Sequence, residues 1–236
     1  MCTLTYLPIE KDSFILTSTR DVMRQRAKAT KPDHYRSNGL SLYYPKDGKA
    51  GGSWLGISGY KRLICLLNGA FDFYFPEPPY KKSRGLVLLD LLSIKEKEKL
   101  IEFDSFSDIE PFTMIIIDWS SDYELFELRW DGVNKYLKRL ENRSQIWSSS
   151  SLYNSSAKNK RKEMFRGWLK NNNEYDENGI MDFHNLETDD PKNSIRMNRD
   201  LFCSVSLSCI KKHKDDLSWR YKDLVGNEEY IECFKL

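Results

Sequence analysis

No apolar run in this 236-residue sequence approaches the roughly 20 residues that a membrane-spanning helix needs. The longest, residues 113–117, suits a buried strand instead. A basic, apolar leader is also missing, because residues 1–7 run at once into Pro8, Glu10 and Lys11. Cysteine is odd in number and without paired spacing: Cys2, Cys65, Cys203, Cys209 and Cys233 read as free thiols. These absences together lead to the expectation of a cytoplasmic protein with no membrane span. Charge of one sign is scarce too, with 37 basic against 35 acidic residues. No nucleic-acid partner is expected, since so balanced a chain has no broad field for gripping polyanions. Only three histidines occur, His34, His184 and His213, too scattered for metal-ligand spacing, so no metal is expected.

What the chain does have is strand-like alternation at both ends and helical periodicity between. Residues 2–7 and 13–19 read as two strands around a turn at 8–12, with paired positions summing to 21–23 if the turn centres near Glu10 and Lys11. A second hairpin runs through 53–57 and 62–67, and a third through 112–118 and 123–130. The polar stretch 27–50 reads as a long loop. Residues 71–82 are barred from regular helix by Pro76, Pro78 and Pro79. Residues 86–92 form a buried helix, and Ser93 with Glu96 makes a capping-box pattern opening a second helix to Ile101. After a short strand at 145–150, Ala157, Arg161, Met164, Phe165, Trp168 and Leu169 recur at helical spacing, which predicts an amphipathic helix over 156–170, capped by Ser155 or Ser156. A further helical turn at 179–185 and strands at 202–211, 218–224 and 230–234 complete the chain. The expected architecture is one α/β (α+β) domain over residues 1–236, with two mostly antiparallel sheets and helices on their outer faces.

Among residues suited to chemistry, Cys2 comes first. If Met1 is removed, Cys2 carries both a thiol and the α-amino group, and the amine can act as base for its own side chain. The plain alternative is a small residue on an opening strand. Hairpin arithmetic brings Arg20 and Asp21 beside Cys2, the guanidinium favouring thiolate and the carboxylate holding the amine; an Arg-Asp pair is also an ordinary surface ion pair. Arg24 and Arg26 make this corner basic, and Arg24 is a candidate contact for an anionic ligand. Asn68 offers its amide to a developing oxyanion or simply turns the chain with Gly69. The segment 51–56 is no phosphate loop, lacking Gly-Lys-Ser/Thr; its Trp54 either packs or lines a pocket. Phe71, Phe73, Tyr74 and Phe75 either wall a ligand site or belong to the core. Cys203 and Cys209, six apart on a strand, are expected on one face, and Lys158, Lys160, Arg161 and Lys162 on the solvated face of their helix.

Met-Cys-Thr-Leu-Thr at 1–5, Thr-Ser-Thr-Arg-Asp at 17–21 and Gly-Gly-Ser-Trp-Leu-Gly-Ile at 51–57 together resemble the NRDE family, the transport and Golgi organisation family. Cys-Leu-Leu-Asn at 65–68, Ile-Trp-Ser-Ser-Ser-Ser-Leu-Tyr at 146–153 and Arg-Met-Asn-Arg at 196–199 extend the resemblance over nearly the whole chain. The family box Asn-Arg-Asp-Glu reads Thr19-Arg20-Asp21-Val22 here. The resemblance implies a four-layer αββα sandwich like that of N-terminal-nucleophile hydrolases, with Cys2, Arg20, Asp21 and Asn68 as catalytic residues. Trp54, Arg24, Phe71 and Ser150 are the expected substrate contacts, Ser150 supplying a hydroxyl where the hydrolases use an asparagine. The implied function is a cysteine amidohydrolase or acyltransferase acting on a small amide or acyl substrate. The alternative is a non-catalytic carrier of haem or of a lipid or acyl-CoA, with His34 and Cys2 as candidate haem ligands. No resident cofactor is expected, and the oligomeric state is left open.

Overall fold

The structure, a computed structural model, describes residues 3–172, 174–191 and 193–236. The chain opens with a hairpin of β1 (Thr3–Glu10) and β2 (Ser13–Met23). Its partners run from Thr3 opposite Thr19 to Pro8 opposite Phe14, a constant sum of 22 that meets the hairpin arithmetic. Contacts divide the chain into two compact units, Arg26–Asn142 and Met1–Gln25 with Arg143–Leu236.

The unit Arg26–Asn142 contains β3 (Pro32–Ser37), β4 (Leu40–Pro45), β5 (Leu55–Ser58), β6 (Arg62–Asn68), α1 (Arg84–Ser93), α2 (Lys97–Glu102), β7 (Phe112–Asp118), β8 (Glu124–Trp130) and β9 (Lys135–Leu140). The seven strands form one antiparallel meander in chain order. The expected loop over 27–50 is thus wrong, because it contains the β3–β4 hairpin. Asn38 and Gly39 turn it with φ of 49° and 80°, both in the left-handed region that a two-residue hairpin turn requires. Strand β9 also went unrecognised. Of the three strands not expected, β3, β4 and β9, the first and last are the edges of this sheet, where one side lacks a partner and polar residues break the apolar alternation, whereas β4 is interior and largely buried.

Helix α1 starts at Ser83, whose side chain accepts from the Leu86 amide, and buries Val87, Leu88, Leu91 and Leu92 against Ile64, Leu66, Met114, Ile116 and Phe126 of the sheet. The expected capping box is not made. Ser93 is the last residue of α1 and donates to the Leu89 carbonyl (2.8 Å), and α2 has Glu96 as its cap residue without a side-chain bond. The glycines at 51–56 let α1 approach β5. A Cβ on Gly52 would lie 2.4 Å from the Gly85 carbonyl carbon, and one on Gly56 would lie 2.7 Å from Leu92 Cδ1. Because the first of these collisions is with backbone, Gly52→Ala is expected to cost about 3 kcal/mol in urea unfolding, at the upper end of overpacking effects. A loss below about 1 kcal/mol would mean that the helix slides aside freely.

The other unit adds β10 (Gln145–Ser148), α3 (Ser155–Asn171), α4 (Glu177–His184), β11 (Phe202–His213), β12 (Asp216–Asp223) and β13 (Glu228–Lys235) to the opening hairpin. Its six strands are antiparallel in the order β10-β1-β2-β11-β12-β13, which makes β2 central and buries it from Ser13 to Asp21. Phe165, Ile180, Met181 and Phe183 of the two helices pack on Leu7, Ile15, Leu207 and Cys209. The cap of α3 is Asn154, accepting from the Ala157 amide, rather than Ser155 or Ser156. Arg161 does not lie on the solvated face of α3; it is fully buried, whereas Lys160 and Lys162 are exposed.

Strand β11 carries a bulge between Ser204 and Ser206. An extra residue reverses the side-chain alternation downstream of it. Cys203 therefore pairs with Val22 and Cys209 with Thr17, residues on opposite faces of β2, so the two cysteines do not share a face as expected. No helix among the described residues is long and apolar enough to cross a membrane.

Candidate functional site

Cys2 lies outside the described residues. Thr3, to which it is bonded, is fully buried and paired on both sides, opposite Thr19 of β2 and Ser148 of β10. The residues just beyond those partners are Arg20 and Asp21 on one side, and Ser149 and Ser150 on the other. All four are buried. The sheet thus gathers Arg20, Asp21 and Ser150, three of the expected site residues, around the strand end that Cys2 precedes.

Arg20 and Asp21 are successive residues of one strand and so point to opposite faces. Asp21 shares its face with Thr17 and Thr19. Its Oδ2 accepts from the Tyr153 hydroxyl (3.0 Å) and its Oδ1 from the Ser204 hydroxyl (2.5 Å). Ser204 is the last paired residue before the bulge, which lets β11 aim it at Asp21 and still pair Ser206 with Arg20. Two guanidinium groups lie over the Tyr153 ring, that of Arg161 at 3.4 Å and that of Arg199 at 5.3 Å from its centroid. Arg161 also donates to the Ser194 carbonyl.

On the face of β2 that Asp21 shares with Thr19 sits His184, the last residue of α4. Its Nε2 is 2.8 Å from Thr5 Oγ1 and its Nδ1 is 2.7 Å from Thr19 Oγ1, which ties β1 to β2 diagonally, from the strand-end pair Thr3–Thr19 to the pair Thr5–Thr17. Burial, and then the charge of Arg161, lowers its pKa to about 3, so the ring is neutral. On the β10 side, Lys158 Nζ donates to Ser150 Oγ (2.9 Å), and Ser149 Oγ lies 3.0 Å from Ser151 Oγ. Lys158, expected on the solvated face of α3, is instead half-buried.

The remaining expected residues are placed as follows. Arg24 is exposed and held by the Arg199 carbonyl (3.1 Å) and the Asn198 side chain (2.6 Å). Trp54 is buried just before β5, where its carbonyl accepts from the Leu66 amide. Asn68 ends β6; the turn after it is fixed by Gly69 N donating to the Pro111 carbonyl and by Thr113 Oγ1 donating to the Gly69 carbonyl. Phe71 lies on the surface, edge-on to Tyr136 and under the Arg129 guanidinium at 4.9 Å. Phe73 and Phe75 are exposed as well, so this aromatic run is not core. His34 is exposed on the edge strand β3 with its ring against Tyr43, a setting without the apolar enclosure that haem ligation would call for. Among the described residues no group of three or more His, Cys, Asp or Glu side chains is disposed to hold a metal ion. A groove of about 660 Å³, lined in part by Ile9, Glu10, His213, Leu217 and Phe234, opens at the far end of β1. At about 3.4 Å per residue it lies roughly 20 Å from Thr3, and none of the expected residues line it.

The model of the Transport and Golgi organisation 2 family matches residues 1–216. No curated protein matches the sequence. Among solved structures, two altered forms of conjugated bile acid hydrolase from Clostridium perfringens are similar, each with a TM-score of 0.62. They are 10% and 11% identical, over 100% of this chain and 97% and 92% of theirs; the second has alanine in place of a cysteine at its second position. The Caenorhabditis elegans ortholog of N-acylethanolamine-hydrolyzing acid amidase gives 0.59 at 13% identity, over 89% of this chain and 92% of that one. At such identities the likeness is one of fold: two antiparallel sheets with few helices, as in N-terminal-nucleophile hydrolases.

Proposed function

We propose, from the premise that this chain belongs to the Transport and Golgi organisation 2 family, that it is a cysteine N-terminal-nucleophile amidohydrolase or acyltransferase. The observation that supports the reading is the double pairing of Thr3, the sequence neighbour of Cys2, with Thr19 and Ser148, residues that lead on to Arg20 and Asp21 and to Ser149 and Ser150. The similarly folded bile acid hydrolase also has a cysteine at its second position.

In this reading removal of Met1 frees the α-amine of Cys2. The amine takes the thiol proton, and the sulfur attacks the carbonyl carbon of a small amide or ester, moving the π pair onto oxygen. Collapse restores the carbonyl, and the leaving group takes the proton from the α-ammonium. The thioester left on Cys2 is then cleaved by water or by an acceptor nucleophile. Arg20 stabilises the thiolate by its charge, and Asp21, fixed by Tyr153 and Ser204, orients the ammonium. Arg20, Asp21 and Ser150 belong to one of the two units, and Asn68, the expected oxyanion donor, to the other.

The test is to map an activated-ester probe on the purified protein after confirming loss of Met1 by intact mass. Cys2 is the residue expected to carry the acyl group, and Cys2→Ala is expected to lose it. The other thiols supply internal controls. Cys209 is fully buried with its pKa pushed by burial to about 12, Cys65 is buried, and Cys233 is exposed. Retention of Met1, or acylation of Cys233 in place of Cys2, would sink the proposal.

A further inference from the structure

We propose that the loop after β6 and the β8–β9 turn form an apolar tip that seats this protein on a lipid bilayer surface, with Phe73 and Phe75 as the inserting side chains. The unit Arg26–Asn142 exposes five large apolar side chains: Phe71, Phe73, Phe75, Val133 and Tyr136. They come from two short segments, and the two segments meet. Phe71 lies edge-on to Tyr136, with ring centroids 5.1 Å apart. Arg84 Nη1 donates both to the Tyr74 hydroxyl (2.7 Å) and to the Pro111 carbonyl (3.0 Å), and a Cβ on Gly132 would lie 3.6 Å from Pro111 Cγ. Phe73 and Phe75 are 61% and 80% exposed and touch each other edge-on at 5.0 Å. Apolar side chains scattered singly over a surface need no explanation, whereas their confinement to one place marks an interaction site.

The loop is clamped behind its rings. Pro76, Pro78 and Pro79 restrict the backbone beyond Phe75, the Tyr74 hydroxyl donates to Glu110 Oε1 (2.6 Å), and the Lys81 amide donates to the Asp108 carbonyl (2.9 Å). The polar groups favour lipid over a protein partner. A protein interface surrounds its apolar centre with hydrogen bonds and so draws on donors and acceptors near the anchors. The ring tips offer none, and the groups behind them are engaged within their own segments. The Glu77 amide donates to the Tyr80 hydroxyl (2.8 Å). Asp131 accepts from the amides of Val133 (2.8 Å) and Asn134 (2.7 Å) and from the Tyr136 hydroxyl (3.0 Å). The three prolines carry no N–H at all. Such a tip enters a bilayer interface with few donors stranded, and stranded donors are what bar most loops from hydrocarbon. The charges beside the rings are of both signs, Asp72 and Glu77 with Lys81 and Lys138, and all four are exposed enough to remain among the headgroups. Apolar burial therefore drives the contact, and zwitterionic lipid suffices for it.

The test is co-sedimentation of the full chain with phosphatidylcholine vesicles, and it does not involve Cys2. Wild type is expected in the pellet at millimolar lipid. The double variant Phe73→Ser/Phe75→Ser is expected to bind about tenfold more weakly or worse, given the apolar area of two rings. Both side chains lie on the surface, so its midpoint in urea is expected to match that of wild type. Ile231→Ser removes an exposed apolar side chain from the other unit and is expected to leave binding unchanged. Phe75→Trp is expected to be quenched by brominated phosphatidylcholine beyond the quenching of wild type, which places the side chain among the acyl chains. No binding by wild type, equal binding by the double variant, or no added quenching in Phe75→Trp would overturn the proposal. Binding confined to vesicles that contain phosphatidylserine would assign the contact to charge and overturn it as well. So would a wild-type dimer, formed without lipid and lost in the double variant, since the rings would then serve a second copy of this chain.

Discussion

Replacing Arg62 with alanine is expected to destabilise the fold by about 3–5 kcal/mol, the range found when one partner of a buried ion pair is removed. Arg62 and Asp118 sit opposite one another at the end of the β6–β7 ladder, 0% and 1% exposed at their side chains, with Arg62 Nε 2.7 Å from Asp118 Oδ2. The pair does more than close the ladder. Arg62 Nη1 donates to the Leu91 carbonyl (3.4 Å) and to the Ile94 carbonyl, at the C-terminal end of α1, where the helix dipole is negative. Asp118 Oδ1 meanwhile accepts from the Ser120 amide (3.1 Å) and hydroxyl (2.6 Å), which shapes the β7–β8 turn. Truncating Arg62 leaves the carboxylate buried without its cation and frees two carbonyls of the helix end. The double variant Arg62→Leu/Asp118→Leu removes both charges, and it is expected to recover at least half of the loss in urea unfolding. A single variant costing under 1 kcal/mol would show that water reaches the carboxylate and replaces the guanidinium.

That pair also shows where reading a sequence stops. The strands carrying Arg62 and Asp118 were legible from their apolar alternation, yet nothing local announces that two charged strand-end residues 56 positions apart meet at no exposure. Apolar periodicity reports burial against a neighbour and is blind to which neighbour. It therefore found the helices and most interior strands, and it failed at the polar edges β3 and β9 and at β4, a short strand joined to the edge β3 by a tight turn. The β3–β4 hairpin had its own signal, the Asn38-Gly39 pair, whose two residues suit a tight hairpin turn better than any other feature of that stretch. The bulge in β11 left no such mark, since Ser204, Val205, Ser206, Leu207 and Ser208 alternate polar and apolar as an unbroken strand would.

The candidate site was legible in a similar, partial way. The hairpin sum placed Arg20 and Asp21 beside the strand end because antiparallel geometry leaves no freedom once the turn is located. What supports them comes from far along the chain: Tyr153 and Ser204 for Asp21, Lys158 for Ser150, and Thr5 with His184 for Thr19. One clue was present. Arg161 occupies a position of the apolar stripe of α3, between Ala157 and Phe165, and a cation there signals a buried charge rather than a solvated face. Lys158 is the residue three positions before it and borders the same stripe.

Acid is expected to weaken this protein through His184. The folded-state pKa of the ring, lowered by burial and then by Arg161, is about 3, against an ordinary value of 6.5. Between those values the unfolded chain binds a proton that the folded chain refuses, so stability falls as pH falls. The stabilisation is fully present above pH 6.5 and is lost on the way down to about 3, at about 1.4 kcal/mol per pH unit and roughly 5 kcal/mol in all. His184→Gln removes the titration and keeps side-chain groups able to bond Thr5 and Thr19. Urea unfolding at pH 6.5 and at pH 5 is expected to show wild type losing about 2 kcal/mol more than the variant. Subtracting the variant matters, because carboxylates elsewhere titrate in both proteins and cancel. The variant itself is expected to be less stable at pH 7, since an amide fills the imidazole site imperfectly. Its stability is nevertheless expected to fall less steeply in acid, and that change of slope belongs to the imidazole alone. A parallel fall in both proteins would mean that carboxylates set the acid limit and that the ring accepts its proton without opening the fold.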